Sequence, residues 1–250
     1  DDINCESQVV SKKDICKYLG LPLHSIATEL LGNVRMAEKE GTVNGLSYNS
    51  DGTGSVLLFE MIKIGSTNKQ QGPTITATGS LGTVLQESID IGCSLVKSIL
   101  RRGLIIGEDC RTTKDFFSSR YHLHVPMGAI SKDGPSAGAA ITLALMSLAV
   151  KRPVDPLLCM PGEIPLRGKI LPIGGVKEKL LGAQIYGMKR VLLPIANKAD
   201  VIQAVTDSVF PFTQDKSSQR ELALVQEKMG LSVAYVNDIY DVLQYAWPDI

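Results

Sequence analysis

The segment Asp133-Gly134-Pro135-Ser136-Ala137-Gly138 places a serine among small residues at the head of a long apolar run. Small neighbours allow a substrate backbone to approach closely. The free N–H groups and positive dipole end of a helix starting there suit a developing oxyanion. Acyl transfer through Ser136 is one chemistry this pattern offers. The plain alternative is a close-packed helix start in which Ser136 only caps the chain. Phosphate binding at a helix N-terminus is a third reading, but no G-x-x-x-x-G-K-[ST] occurs, and Pro135 removes a donor such a loop uses.

A serine nucleophile needs a base. The histidines are His24, His122 and His124, and no G-x-S-x-G elbow is present. Lysine serves as a base only where burial or nearby cations lower its pKa. Lys177 and Lys179 lie in Gly174-Gly175-Val176-Lys177-Glu178-Lys179-Leu180-Leu181, where a helix start disfavours an ammonium. Two residues turn a helix by ~200°, so the two lysines face opposite sides and at most one enters a site. On chemistry alone, histidine base, lysine base and a pair of solvated lysines all remain open. A metal site is not indicated, because the only close histidines, His122 and His124, alternate along a strand-like run.

The elements that would position these groups follow from pattern. Thr42–Tyr48 and residues 55–64 flank Asn49-Ser50-Asp51-Gly52-Thr53-Gly54, which predicts a β-hairpin. Thr74–Thr78 reads as a third strand. Leu85, Ile89, Val96, Ile99 and Leu100 have helix spacing over 82–102, closed by Gly103. A polar stretch over 107–119 leads to a strand over 121–125. A long helix is expected over 135–151, beginning with Pro135 in its first turn. Strands near 157–160, 164–171, 190–193 and 232–235 alternate with helices at 176–186, 197–205, 218–229 and 238–246. Short helices over 11–19 and 25–31 have little apolar face and look like the tail of another domain. The expected fold is therefore α+β or α/β-like, one domain over 41–250 with mixed sheets and surrounding helices, preceded by a helical remnant over 1–40.

Composition agrees with a globular chain: 44% of residues are apolar and 21% charged. The 26 basic and 26 acidic residues cancel, so charge gives no reason to expect nucleic acid or an anionic membrane as partner. No apolar run approaches the ~20 residues of a membrane span, and the start Asp1-Asp2 carries no targeting signal. The five cysteines form an odd set without C-x-x-C, and Cys93 and Cys159 sit in apolar stretches as core residues. A reducing compartment is expected.

Over these motifs the chain resembles the proteolytic domain of Lon proteases. The resemblance rests on D-G-P-S-A-G at 133–138, G-E-I-x-L-R-G at 162–168, L-P-I-G-G-x-K-E-K-L-L at 171–181 and L-P-x-x-N-K at 193–198, in that order. It extends upstream through 41–48 and 76–87 to the helical start, which is similar to the end of the ATPase module's helical subdomain. The resemblance implies a serine endopeptidase in which Ser136 attacks and Lys179 is the base, with Lys177 not catalytic. Backbone N–H groups around Asp133, Gly134 and Ser136 would form the oxyanion hole, and Glu60 matches an acidic residue near the family's site.

Two departures stand out. Met127 replaces a usual glutamate, and Pro161 replaces a threonine whose hydroxyl helps orient the catalytic lysine in the family. Proline has no side-chain donor or acceptor. A Lon-like scaffold with lost catalysis is therefore the second hypothesis. A separate peptidase of the signal-peptidase kind is the third, and it would need a membrane anchor that is not found. The resemblance further implies homohexameric rings, unfolded, damaged or regulatory proteins as substrates, and ATP with Mg²⁺ bound by a module outside this chain. The ending Tyr-Ala-Trp-Pro-Asp looks organellar and is not S-K-L. The mitochondrial matrix is the expected compartment, with cytoplasm or peroxisome as alternatives.

Overall fold

The computed structural model describes residues 39–66, 72–103, 110–126, 132–206 and 218–249. The helices expected over 11–19 and 25–31, and Met127, lie outside the described residues.

The turn cluster closes as expected. The Asn49 N–H bonds to the Thr53 carbonyl at 2.8 Å, and the Asp51 carboxylate accepts from the Thr53 N–H at 2.9 Å. That turn joins β1 (Thr42–Tyr48) to β2 (Gly54–Ser66) in an antiparallel hairpin. The remaining strands are β3 (Thr74–Thr78), β4 (Ser119–His124), β5 (Leu158–Cys159), β6 (Arg190–Pro194) and β7 (Ser232–Val236). Among the described residues these form one seven-stranded sheet in the order β3-β4-β2-β1-β5-β6-β7. It is mixed: β2 pairs antiparallel with β1 and β4, while β3 runs parallel to β4, and β1, β5, β6 and β7 run parallel to one another. The α/β character expected of the chain is thus present. Side-chain alternation sets the faces: Phe59, Met61, Tyr121 and Leu123 are buried, whereas Ile62 and His124 are exposed.

The helices are α1 (Thr83–Arg102), α2 (Cys110–Phe117), α3 (Gly138–Val150), α4 (Val176–Ile185), α5 (Lys198–Thr206), α6 (Ser218–Met229) and α7 (Ile239–Ala246). All five apolar positions that predicted α1 are buried, and Gly103 closes it in the left-handed conformation. Helix α3 is apolar on every side and lies between α1 and the sheet, as such a helix must. Gly92 allows α1 to approach it, since a Cβ there would lie 2.8 Å from Thr142 Oγ1.

Two segments depart from expectation. The polar stretch over 107–119 contains α2; its large apolar residues, Phe116 and Phe117, are adjacent rather than three or four apart, so no helical period shows. The strand expected over 164–171 is irregular, with isolated bridges Glu163–Leu171 and Lys169–Asp238. A turn closed by the Gly168 N–H on the Pro165 carbonyl interrupts it.

Candidate active site

Ser136 occupies a short 3₁₀ turn (Pro135–Ala137) that feeds directly into α3. Gly134 precedes it at φ 124°, a conformation that only glycine adopts cheaply. The loop is fastened at both ends. Upstream, the Lys132 N–H bonds to the Ser80 carbonyl at 3.0 Å and its carbonyl accepts from the Gly82 N–H at 2.8 Å. The Lys132 side chain, itself buried, donates to the Gly79 carbonyl at 3.0 Å. Asp133 then accepts the N–H groups of Leu85 at 3.0 Å and Gly134 at 2.9 Å. It thereby caps the first turn of α1, whose own N-cap, Gly82, has no side chain to do so. Downstream, the Ser136 carbonyl accepts from the Gly162 N–H at 2.6 Å, and the Gly162 carbonyl accepts from the Ala139 N–H at 2.9 Å.

Helix α4 begins after Gly175, which takes a left-handed conformation at φ 65°. Its two lysines diverge as helix geometry requires: Lys177 is exposed, and Lys179 is 3% exposed. The Lys179 Nζ lies 3.5 Å from Ser136 Oγ, within reach to donate to it. This is longer than a well-formed N–H···O bond, and catalytic contacts in the absence of substrate are often long. Burial pushes the Lys179 ammonium down to about 8, because a desolvated site disfavours the charged form. An amine neutral slightly above physiological pH is thereby set against a serine hydroxyl.

The other candidates fall at different distances from this pair. Pro161 is buried between Met160, whose N–H bonds to the Asn44 carbonyl at 3.0 Å, and Gly162, which holds Ser136. It therefore borders the site, but its side chain can give Lys179 no hydrogen bond. Glu60 is half-buried on β2, in register with Thr42 on β1 and His124 on β4. Among the described residues no hydrogen bond or ion pair links Glu60 to Ser136 or Lys179. His122 Nε2 and His124 Nδ1 both meet Thr78 Oγ1, at 2.9 and 2.8 Å. Among the described residues, lysine, not histidine, is the basic side chain brought to Ser136.

Lys132 was not singled out by its sequence. Its signal is faint: a lysine next to the Asp133-Gly134 turn reads as solvated, and only the tertiary contact with Gly79 shows it buried.

Comparison with known proteins places these features in context. A family model described as the Lon protease (S16) C-terminal proteolytic domain matches residues 9–247. The chain is 57% identical over 249 residues to "Lon protease homolog 2, peroxisomal" of Kluyveromyces lactis, covering 96% of this chain and 24% of that protein. It is 52% identical over 245 residues to the protein of the same name from Eremothecium gossypii, with 96% and 24% covered. To "Lon protease homolog, mitochondrial" of Yarrowia lipolytica it is 38% identical over 196 residues, with 78% and 16% covered. The chain thus spans about a quarter of the length of the first two relatives.

Proposed function

Because the chain belongs to the Lon protease (S16) C-terminal proteolytic-domain family, we propose that it cleaves peptide bonds with Ser136 as nucleophile and Lys179 as general base. Membership makes it a serine peptidase domain; the assignment of the two roles rests on the site. The observation that carries it is the buried Lys179 Nζ at 3.5 Å from Ser136 Oγ. In this reading neutral Lys179 takes the Ser136 proton as Oγ attacks the scissile carbonyl. The resulting ammonium returns the proton to the leaving amine, and an acyl-enzyme remains on Ser136. Water, activated by the same amine, then releases the carboxylate product. Within 134–136 the Gly134 N–H is engaged by Asp133 and Pro135 has none. That leaves the Ser136 N–H as the oxyanion donor this stretch offers.

The test is peptide cleavage by Ser136→Ala, Lys179→Ala and Lys177→Ala forms at equal folded fraction. Loss in the first two and retention in the third is expected. Turnover surviving in Lys179→Ala would remove the lysine base.

The long dyad contact favours a second, narrower statement: with Pro161 in place of a hydroxyl-bearing residue, the base is present but loosely aimed. The rest of the longer protein, in this reading, supplies an ATP- and Mg²⁺-dependent module that unfolds protein substrates and feeds them to a homo-oligomeric ring, a hexamer by family likeness. The names of the relatives at 57% and 52% identity point to the peroxisome, against a mitochondrial name at 38%. The proposed compartment is accordingly the peroxisome rather than the mitochondrial matrix. Co-localisation of the full-length protein with a peroxisomal or a mitochondrial marker decides between them.

A further inference from the structure

Lysine at a helix start is ordinarily solvated, so something must hold α4 close enough to bury Lys179. Where α4 meets β2, the closest contact is backbone on backbone. At the first residue of β2, a Cβ on Gly54 would lie 1.8 Å from the Glu178 carbonyl oxygen and 3.0 Å from the Lys179 nitrogen. At the facing point of α4, a Cβ on Gly182 would lie 2.6 Å from the Gly54 carbonyl carbon and 2.8 Å from the Ser55 nitrogen. Gly54 leaves the space that the Glu178 carbonyl fills, and Gly182 leaves the space that the Gly54 backbone fills; Lys179 lies between Glu178 and Gly182 along the helix.

A polar anchor holds the chain just ahead of α4. Asn197 is 2% exposed. Its Oδ1 accepts from the Ile173 N–H at 2.9 Å, and its Nδ2 donates to the Ile173 carbonyl at 2.8 Å. Asp200 accepts from the same Nδ2 at 2.6 Å. The amide thus satisfies both backbone groups of a buried residue three positions before the helix, where leaving them unpaired would be costly.

We propose that Gly54, Gly182 and Asn197 are positioning residues for Lys179, holding α4 against the β1–β2 hairpin so that its amine stays dry and within reach of Ser136. The inference rests on Lys179 being the base. Charged and titratable groups near Lys179 on α4 itself are Lys177 and Glu178. The elements packed on α4 and the nucleophile loop contribute Tyr48, Glu60, Lys132, Asp133, Lys198 and Asp200. Burial, not any of these charges, lowers the Lys179 proton affinity. A wider gap at the glycine contact would admit water and move that affinity back toward an ordinary lysine.

The experiment is the pH dependence of kcat/KM on a small chromogenic peptide for the unaltered chain, Gly54→Ala, Gly182→Ala and Gly187→Ala. Gly187 lies just beyond α4 at φ 74° with nothing within 4 Å of a Cβ. Its substitution therefore strains the chain without touching the contact. Both contact variants should carry the rising limb upward by about one unit or more. At neutral pH that is about a tenfold loss of kcat per unit, with KM little changed. Gly187→Ala should lower the melting temperature and leave the limb in place. Unmoved limbs in the folded contact variants, or an equal move in Gly187→Ala, would overturn the proposal. Should neither contact variant fold, Asn197→Ser is read by the same profile and the same criterion. Lys179→Ala separates the two levels. Surviving turnover there sinks the base assignment, whereas an inactive Lys179→Ala beside unmoved limbs sinks only the positioning role.

Discussion

Ser136 and Lys179, the proposed nucleophile and base, are held by opposite means. Around Ser136 the chain is pinned by hydrogen bonds: Lys132 to Gly79, Asp133 to Leu85, and the Ser136 carbonyl to Gly162. Around Lys179 it is pinned by shape, with Gly54 and Gly182 letting backbone rest on backbone. Hydrogen bonds fix direction and suit a group whose attack angle matters. Close packing excludes water and suits a group whose proton affinity matters. Each half of the site is built for the property its chemistry depends on.

The comparison is tested most severely by removing its two ends. Ser136→Ala or Lys179→Ala should each lower peptide turnover by roughly four orders of magnitude or more, while Lys177→Ala changes it little; a peptide assay at matched folded fraction reads this. Next in size is the polar half. Asp133→Ala removes the cap of α1 and the tie of the loop, and misplacing a nucleophile costs on the order of 100-fold in kcat. Asp133→Asn keeps an accepting oxygen and should restore most of that loss. Equal damage in both variants would mean the carboxylate's charge, not its hydrogen bonds, matters.

The packed half makes a stability prediction. Folding lowers the Lys179 proton affinity from 10.5 to about 8. Between those two values the unfolded chain holds the extra proton, so stability rises with pH across that window. Below about 8 the penalty is fully present. Lys179→Met, inactive, should therefore be more stable than the unaltered chain at neutral pH, by on the order of 2 kcal/mol, with the gap closing toward pH 10. Urea titrations at two pH values check both the sign and the closing. The smallest effect concerns aim. Pro161→Thr should raise kcat by roughly tenfold with KM little changed, because the missing hydroxyl concerns the reacting step. An unchanged or lower kcat would mean that the 3.5 Å contact tightens without help once substrate binds.

Much of this architecture is legible in the sequence. The hairpin showed itself through its Asn-Ser-Asp-Gly-Thr-Gly turn, and α1 through apolar residues at helix spacing, because both are governed by local physics. Helix α2 did not show, since Phe116 and Phe117 adjoin and its support is tertiary, against Tyr121 with ring centroids 5.2 Å from Phe116. The segment after Gly162 carried strand-like residues, but Pro165 and Gly168 turned it. At the site the motifs point to Ser136 and Lys179, while residue chemistry alone leaves a histidine base, a lysine base and solvated lysines all open. Their difference is one of burial and distance, which no local pattern encodes. Gly54 reads as turn punctuation and Gly182 as nothing at all, because each makes room for backbone far away in the sequence, Glu178 for the first and Gly54 for the second.

The sheet order has a consequence for how such a chain comes into being. Strand β1 pairs with β2 close by, but also with β5, joining Asn44 to Cys159. Helix α4, with Lys179, rests on a hairpin made long before it in the chain, and Ser136 is braced by Gly162, which follows α3. Contacts so distant in sequence form late, after local structure, because loop closure must precede them. A growing or half-folded chain therefore has a serine and a lysine but no pair. On the proposed dyad, cleavage ability would arrive only when the sheet closes.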